Sequence, residues 1–146
     1  YTLQDNKDFS LAWEQVRAMR QWMKDRGEQN KPLIITEYGV NMPPHYQGFS
    51  YEEVRDSFLY PSFNHFLNQK DCSLGLPADE CRLVQRWNWY SMDDDAGKYE
   101  DSEYLQNFNG NLFYSGLGGE PIGLSGLGRY WIHYVESLPL GAAKPY

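Results

Sequence analysis

Apolar side chains recur at helical spacing near the start of the chain. Phe9, Ala12, Trp13, Val16, Met19 and Met23 fall on one face of a helix that the pattern predicts from about Phe9 to Arg26, with Gly27 as its stop. Lys31-Pro32 then breaks the chain, and the short, β-branched run LIITEY reads as a strand buried on both sides. GVNMPPHYQG follows as a turn-rich loop. Ser50 and Glu53 stand as a capping box at the head of a second helix, which runs through Val54, Phe58, Phe63, Phe66 and Leu67. Pro61 is expected to kink that helix or to mark a second start. After the polar stretch QKDCSLGLPADECR, Leu83 to Met92 reads as a second strand. Residues 93–123 read as one long loop dense in Asp, Asn and Gly. A last helix is expected from about Ser125 to Leu138, with Leu127, Trp131, Tyr134, Val135 and Leu138 on one face. The tail GAAKPY reads as loose.

The order is helix-strand-helix-strand-helix, an α/β arrangement that implies parallel strands joined by right-handed crossovers. Two parallel strands alone expose edges and a wide apolar face, so the chain is expected to be part of something larger. In isolation it should aggregate or need a partner.

Charge narrows the possible partners. The net charge is −7 and the pI about 4.9, which argues against a nucleic acid or an anionic membrane surface as partner. No apolar run approaches the length of a membrane span. No signal peptide is visible, and the chain begins at Tyr1, so an initiator or targeting segment is expected to lie upstream or to have been removed. The two cysteines, Cys72 and Cys81, share one loop-like stretch. That spacing fits a local disulfide and hence an extracellular or secreted protein; the alternative is a pair of free thiols in the cytosol. No second Cys or His pair has zinc-ligand spacing. The aromatic fraction, 16%, is high enough to suit a core or a surface on which sugars stack.

In a parallel α/β protein the carboxyl ends of the strands carry the chemistry. Glu37 ends the first strand, and by the period of two it shares a face with Leu33 and Ile35. Such a Glu is either a functional carboxylate at the mouth of a site or a strand-end group held by a salt bridge or a backbone N–H. On the second strand Trp87 and Trp89 share a face, with Gln85 below them; Val84, Arg86, Asn88 and Tyr90 take the other. Each tryptophan is either a flat platform for a sugar ring or part of the core.

KPLIITEYGV, VQRWNWYSMDDD, the segment Phe108-Asn109-Gly110-Asn111-Leu112-Phe113 and the final GLGRYW resemble, in that order, the carboxyl-terminal part of the (β/α)8-barrel retaining glycoside hydrolases. In that clan strand seven ends in a catalytic Glu and strand eight carries a Trp beneath the scissile bond. The resemblance covers about residues 31–134 and implies a partial TIM barrel comprising strands seven and eight. It also implies Glu37 as nucleophile, Trp89 (or secondarily Trp87) as sugar platform, and Tyr38 and Asn41 shaping the mouth. The substrate class it implies is a β-linked polysaccharide or oligosaccharide, with no cofactor. The clan's acid/base Glu follows an Asn on strand four. No Asn-Glu dipeptide occurs in these residues, so that group is expected in the remainder of the barrel, upstream or in another chain, and this portion is expected to be inactive alone. The alternative is a non-catalytic carbohydrate-binding or structural module derived from such a barrel.

His45, in the loop after Glu37, and Asp93, after the second strand, are further candidates for substrate contact. Asp93, Asp94 and Asp95 do not have EF-hand spacing, because the twelfth position from Asp93 is Tyr104. His65 and His133 fall in helices without ligand spacing. No P-loop, nucleophile elbow or dinucleotide-binding glycine motif is present.

Overall fold

Helix α1 (Phe9–Asp25) begins where Asp8 caps it, accepting hydrogen bonds from the Ser10 backbone N–H at 2.9 Å and the Ser10 hydroxyl at 2.7 Å. It ends at Gly27, whose φ of 74° is the left-handed conformation that closes a helix. The Gly27 and Glu28 N–H groups return to the carbonyls of Lys24 and Met23. The computed structural model describes residues 2–40, 49–93, 110–115 and 121–139. After α1 come β1 (Ile34–Tyr38), α2 (Tyr51–Val54), a π turn (Arg55–Leu59), α3 (Tyr60–Asn68), β2 (Arg86–Trp89), β3 (Phe113–Ser115), β4 (Pro121–Leu124) and α4 (Gly126–Ser137). The described residues of Tyr1–Val40 and Asp56–Tyr90 form one unit, and those of Asn41–Arg55 and Ser91–Tyr146 a second.

The first unit holds the parallel pair. β1 and β2 run side by side, with Ile34 beside Arg86, Ile35 beside Trp87 and Tyr38 beside Trp89. Three steps on β1 match two on β2, so β1 carries a bulge. Aromatic rings cover one face. Phe9 meets Phe58 and Phe66 edge to face at 5.9 and 5.7 Å, and Trp87 lies 5.1 Å from Phe66. His65 is structural: its Nδ1 lies 2.8 Å from the Pro61 carbonyl, and its ring sits about 5 Å from those of Phe9 and Trp13.

Two expectations change here. β1 is covered on only one face among the described residues: Ile34 is 47% exposed, and Thr36 and Glu37 are exposed. Met19, placed by periodicity on the buried stripe of α1, is exposed, while Arg20 beside it is fully buried. Pro61 enters α3 directly after the π turn. Its missing N–H cannot serve the carbonyl four residues back, and the widened turn absorbs the interruption.

At the amino ends of the two strands, Arg20 donates from Nε to the Leu83 carbonyl at 2.6 Å and from Nη1 to the Lys31 carbonyl at 2.9 Å. Its Nη2 donates to Gln85 Oε1. The same Oε1 accepts the Leu33 N–H at 2.8 Å, and Gln85 Nε2 donates to Asp79 at 3.1 Å. Burial lowers the Arg20 pKa from its ordinary value, and the Asp79 carboxylate opposes that shift.

The second unit contains the capping box as expected. Ser50 Oγ accepts the Glu53 N–H at 3.1 Å, and Glu53 accepts the Ser50 N–H at 2.8 Å. Residues 93–123, expected to be one loop, include an antiparallel hairpin in which β3 pairs with β4. Its strands are three and four residues long, too short for a period-two signal to stand out among glycines. Asn111, buried between these segments, accepts from Ser91 Oγ at 2.6 Å, and its carbonyl accepts from Ser125 Oγ at 2.6 Å. Ser125 also caps α4. Arg55 lies over the Tyr130 ring at 4.6 Å, and Tyr130 donates to Glu52 at 2.8 Å.

The α1 cap has a predictable pH dependence. The Ser10 hydroxyl, and secondarily the Ser10 backbone N–H, hold the Asp8 carboxyl below its ordinary pKa of 3.8. Because the folded value is depressed, the cap's contribution is fully present above the ordinary carboxylate range and is lost as pH falls through the folded value. Urea midpoints measured from neutral pH downward should therefore fall below about pH 4. Asp8→Asn should flatten part of that fall. An unchanged acid profile in the variant would remove this group from the account.

Candidate functional site at the carboxyl end of the parallel pair

The carboxyl end of the pair is closed by the Tyr90 N–H, which donates to the Tyr38 carbonyl at 2.8 Å. Gly39 follows at once. A Cβ on Gly39 would stand 2.4 Å from the Tyr90 carbonyl oxygen and 3.2 Å from the Trp89 indole, so only glycine fits between strand end and ring without a shift.

Glu37 stands in the bulge. Because Ile35 pairs with Trp87 and Tyr38 with Trp89, Ile35 and Tyr38 share the ring-covered face. Thr36 and Glu37 are the residues left between them. This corrects the period-two reading, in which Leu33, Ile35 and Glu37 share one face. The inserted residue resets the alternation, turning Tyr38 into the core and leaving Glu37 exposed.

An open groove of about 350 Å³ runs past this strand end. Glu37, Tyr38 and Gly39 form one side, and Asp5, Asn6 and Asp8, from the turn preceding α1, form another. Asp5 accepts the Thr2 N–H at 2.6 Å, and Asp8 is engaged with Ser10. Among the described residues the Glu37 carboxylate makes no hydrogen bond or ion pair, so of the three it is the one left to meet a solute.

The Tyr38 ring is held in the aromatic core. Its ring packs 5.8 Å from Phe58, 5.4 Å from Phe66 and 5.2 Å from Trp89, and its hydroxyl lies 2.9 Å from Ser62 Oγ. Trp89 is only 8% exposed, wedged between Tyr38 and Phe58, and Trp87 packs against Phe63 and Phe66. Trp89 is therefore part of the core, and Trp87 is half-buried. Their apolar area is met by Phe63 and Phe66 of α3 for Trp87 and by Tyr38 and Phe58 for Trp89. Asp93 is exposed. Asn41 and His45, like Asp94 and Asp95, lie outside the described residues.

The residues that the sequence reading did not single out are Asn88 and Tyr90. They alternate with Trp87 and Trp89 and so occupy the uncovered face of β2; Asn88 is exposed and Tyr90 is 40% exposed. Asn88 is the one β2 residue between the Trp87 and Trp89 rungs, opposite the bulge that holds Thr36 and Glu37. The signal was present in the alternation itself, once the tryptophan face is known to be the buried one.

Cys72 and Cys81 form a disulfide. No group of three His, Cys, Asp or Glu side chains suited to a metal ion occurs among the described residues. No known protein family, curated protein or solved structure matches the chain.

Proposed function

We propose that this chain is part of a retaining glycoside hydrolase acting on a β-linked polysaccharide or oligosaccharide, with Glu37 as the nucleophile. The observation that carries the reading is an exposed, unengaged carboxylate in a bulge at the carboxyl end of a parallel strand pair. In this proposal β1 and β2 are strands seven and eight of a (β/α)8 barrel, and their uncovered face is the inner wall. Asn88 and Tyr90 then offer an amide and an aromatic edge to the sugar beside Glu37. Trp89 backs the wall behind Gly39. The Glu37 carboxylate attacks the anomeric carbon as the glycosidic C–O bond breaks and the general acid protonates the leaving oxygen, and water then hydrolyses the resulting glycosyl ester. The acid/base carboxyl of that cycle, about 5–5.5 Å away in retaining enzymes, is assigned to a residue outside this chain.

A location outside the cell belongs to the same proposal. It is supported by the disulfide, which persists in oxidising compartments. No helix among the described residues is long and apolar enough to cross a membrane.

The test is hydrolysis by the full-length protein of a panel of β-linked glucans, mannans and xylans, with the first-formed anomer read by proton NMR. Release of the β-anomer is expected. Release of the α-anomer would overturn the nucleophile role. No turnover of any β-linked glycan, with sugar still bound, would favour the non-catalytic module.

A further inference from the structure

We propose that the Cys72–Cys81 disulfide is a thiol-sensitive latch on the polar clamp that joins α1, β1 and β2. It reaches the clamp through Asp79, which lies inside the ring the disulfide closes. This inference does not depend on the hydrolase reading.

The loop has an unusual backbone. Glu80 and Cys81 are consecutive non-glycine residues at φ of 53° and 66°, both in the left-handed region, which persists in such residues only where the surroundings over-determine it. The Leu76 carbonyl accepts the Asp79 and Cys81 N–H groups at 3.0 and 2.9 Å, and the Arg82 N–H returns to Asp79 at 3.0 Å. Gly75 lies so close that a Cβ there would be 2.0 Å from the Cys81 carbonyl oxygen. The disulfide ties Cys81, at the left-handed end of this turn, to Cys72.

Asp79 leaves the turn in the direction of the strands. Its Oδ1 accepts from Arg82 at 2.5 Å and its Oδ2 from Gln85 Nε2 at 3.1 Å. With both amide hydrogens committed to Asp79 and to the Arg82 carbonyl, Gln85 turns its Oε1 toward the Leu33 N–H and Arg20. A contiguous path therefore runs from the disulfide through Asp79 and Gln85 to Leu33, the residue before β1, and to Arg20 on the buried face of α1.

The latch is open to attack. Cys72 is exposed and Cys81 half-buried. A dithiol reductant attacks Sγ of Cys72 as its thiolate, forms a mixed disulfide and releases the Cys81 thiolate. The second thiol of the reductant then displaces Cys72 as thiolate. The reductant leaves as a cyclic disulfide, having supplied two electrons, and both protein thiolates take up protons. The left-handed pair is then free to relax, and Asp79 with it.

A double-mutant cycle in urea, with Asp79→Ala made in the intact protein and in Cys72→Ser/Cys81→Ser, tests the path. With the disulfide present, Asp79→Ala should lower the folding equilibrium constant by about tenfold or more, and without it by less than about threefold. Equal losses in both backgrounds would show that the disulfide acts only by shortening the unfolded chain. If the serine variant does not fold, native-state hydrogen exchange decides. In the unmutated protein, dithiothreitol should speed exchange in segments 31–35 and 83–87 by about tenfold relative to segment 9–16 of α1. A uniform rise across all three segments, or none, would overturn the proposal.

Discussion

Glu37→Gln in the full-length protein is expected to lower hydrolysis of β-linked oligosaccharides by about 10⁴-fold or more, in kcat as well as in kcat/KM. The amide is nearly isosteric with the carboxylate but cannot form the glycosyl ester, so the loss falls on the chemical step. The fold should tolerate the change. Glu37 is exposed and makes no hydrogen bond or ion pair among the described residues, so the stability change should stay within about 0.5 kcal/mol. Asp8→Asn, in the same groove, separates a nucleophile from general acidity of the surroundings: its carboxylate caps α1, and activity at neutral pH should stay within about threefold of the unmutated protein. With Glu37→Ala, added azide should restore turnover and yield the α-glycosyl azide, because the small anion attacks from the side that the carboxylate vacated. Undiminished hydrolysis by Glu37→Gln would end the assignment.

Arg20→Ala is the second large effect, and it falls on stability. The guanidinium is fully buried and supplies Leu83, Lys31 and Gln85 with hydrogen bonds. Truncation leaves two main-chain carbonyls without their donor beside a cavity and takes one of two donors from the Gln85 amide oxygen, which should destabilise by about 3–5 kcal/mol. Against a total of roughly 5–15 kcal/mol for a domain, that fraction is large. Arg20→Met tests the reason. Replacing buried hydrogen-bonded groups by apolar ones can be harmless when both partners are replaced. Here two acceptors belong to the backbone and remain in place, so Met should recover packing but not stability. Urea unfolding with an unchanged slope reads both variants. A loss below about 1 kcal/mol for Arg20→Ala would show that solvent reaches those carbonyls.

Both effects rest on side chains whose importance the sequence shows unequally. Glu37 is conspicuous, a charged residue ending an apolar run. Arg20 is hidden between Val16 and Met23, on a stripe where periodicity registers apolar residues and passes over a cation. Nothing local says whether an arginine on that stripe reaches solvent or a buried carbonyl. The acceptors come from Lys31, Leu83 and Gln85, as many as 65 positions away.

What the sequence determined by itself is what neighbours in the chain decide. The Ser50–Glu53 capping box, the left-handed stop at Gly27 and the local Cys72–Cys81 bridge all close between residues no more than nine positions apart. Their hydrogen bonds and covalent geometry need little from the rest of the molecule. The alternation of helices with two strands, and the parallel pairing it implies, were legible for the same reason: periodicity is a local property and crossover rules leave few alternatives. The direction of Glu37 and Tyr38 was decided only in three dimensions. The bulge exists because β1 must match β2 while Tyr38 packs on Phe58, Phe66 and Trp89, and no period-two count along β1 alone contains that partner strand. The same holds for the tryptophans. Their spacing places Trp87 and Trp89 on one face, but only the packing of α3 against that face made it the buried one and left Asn88 and Tyr90 on the other.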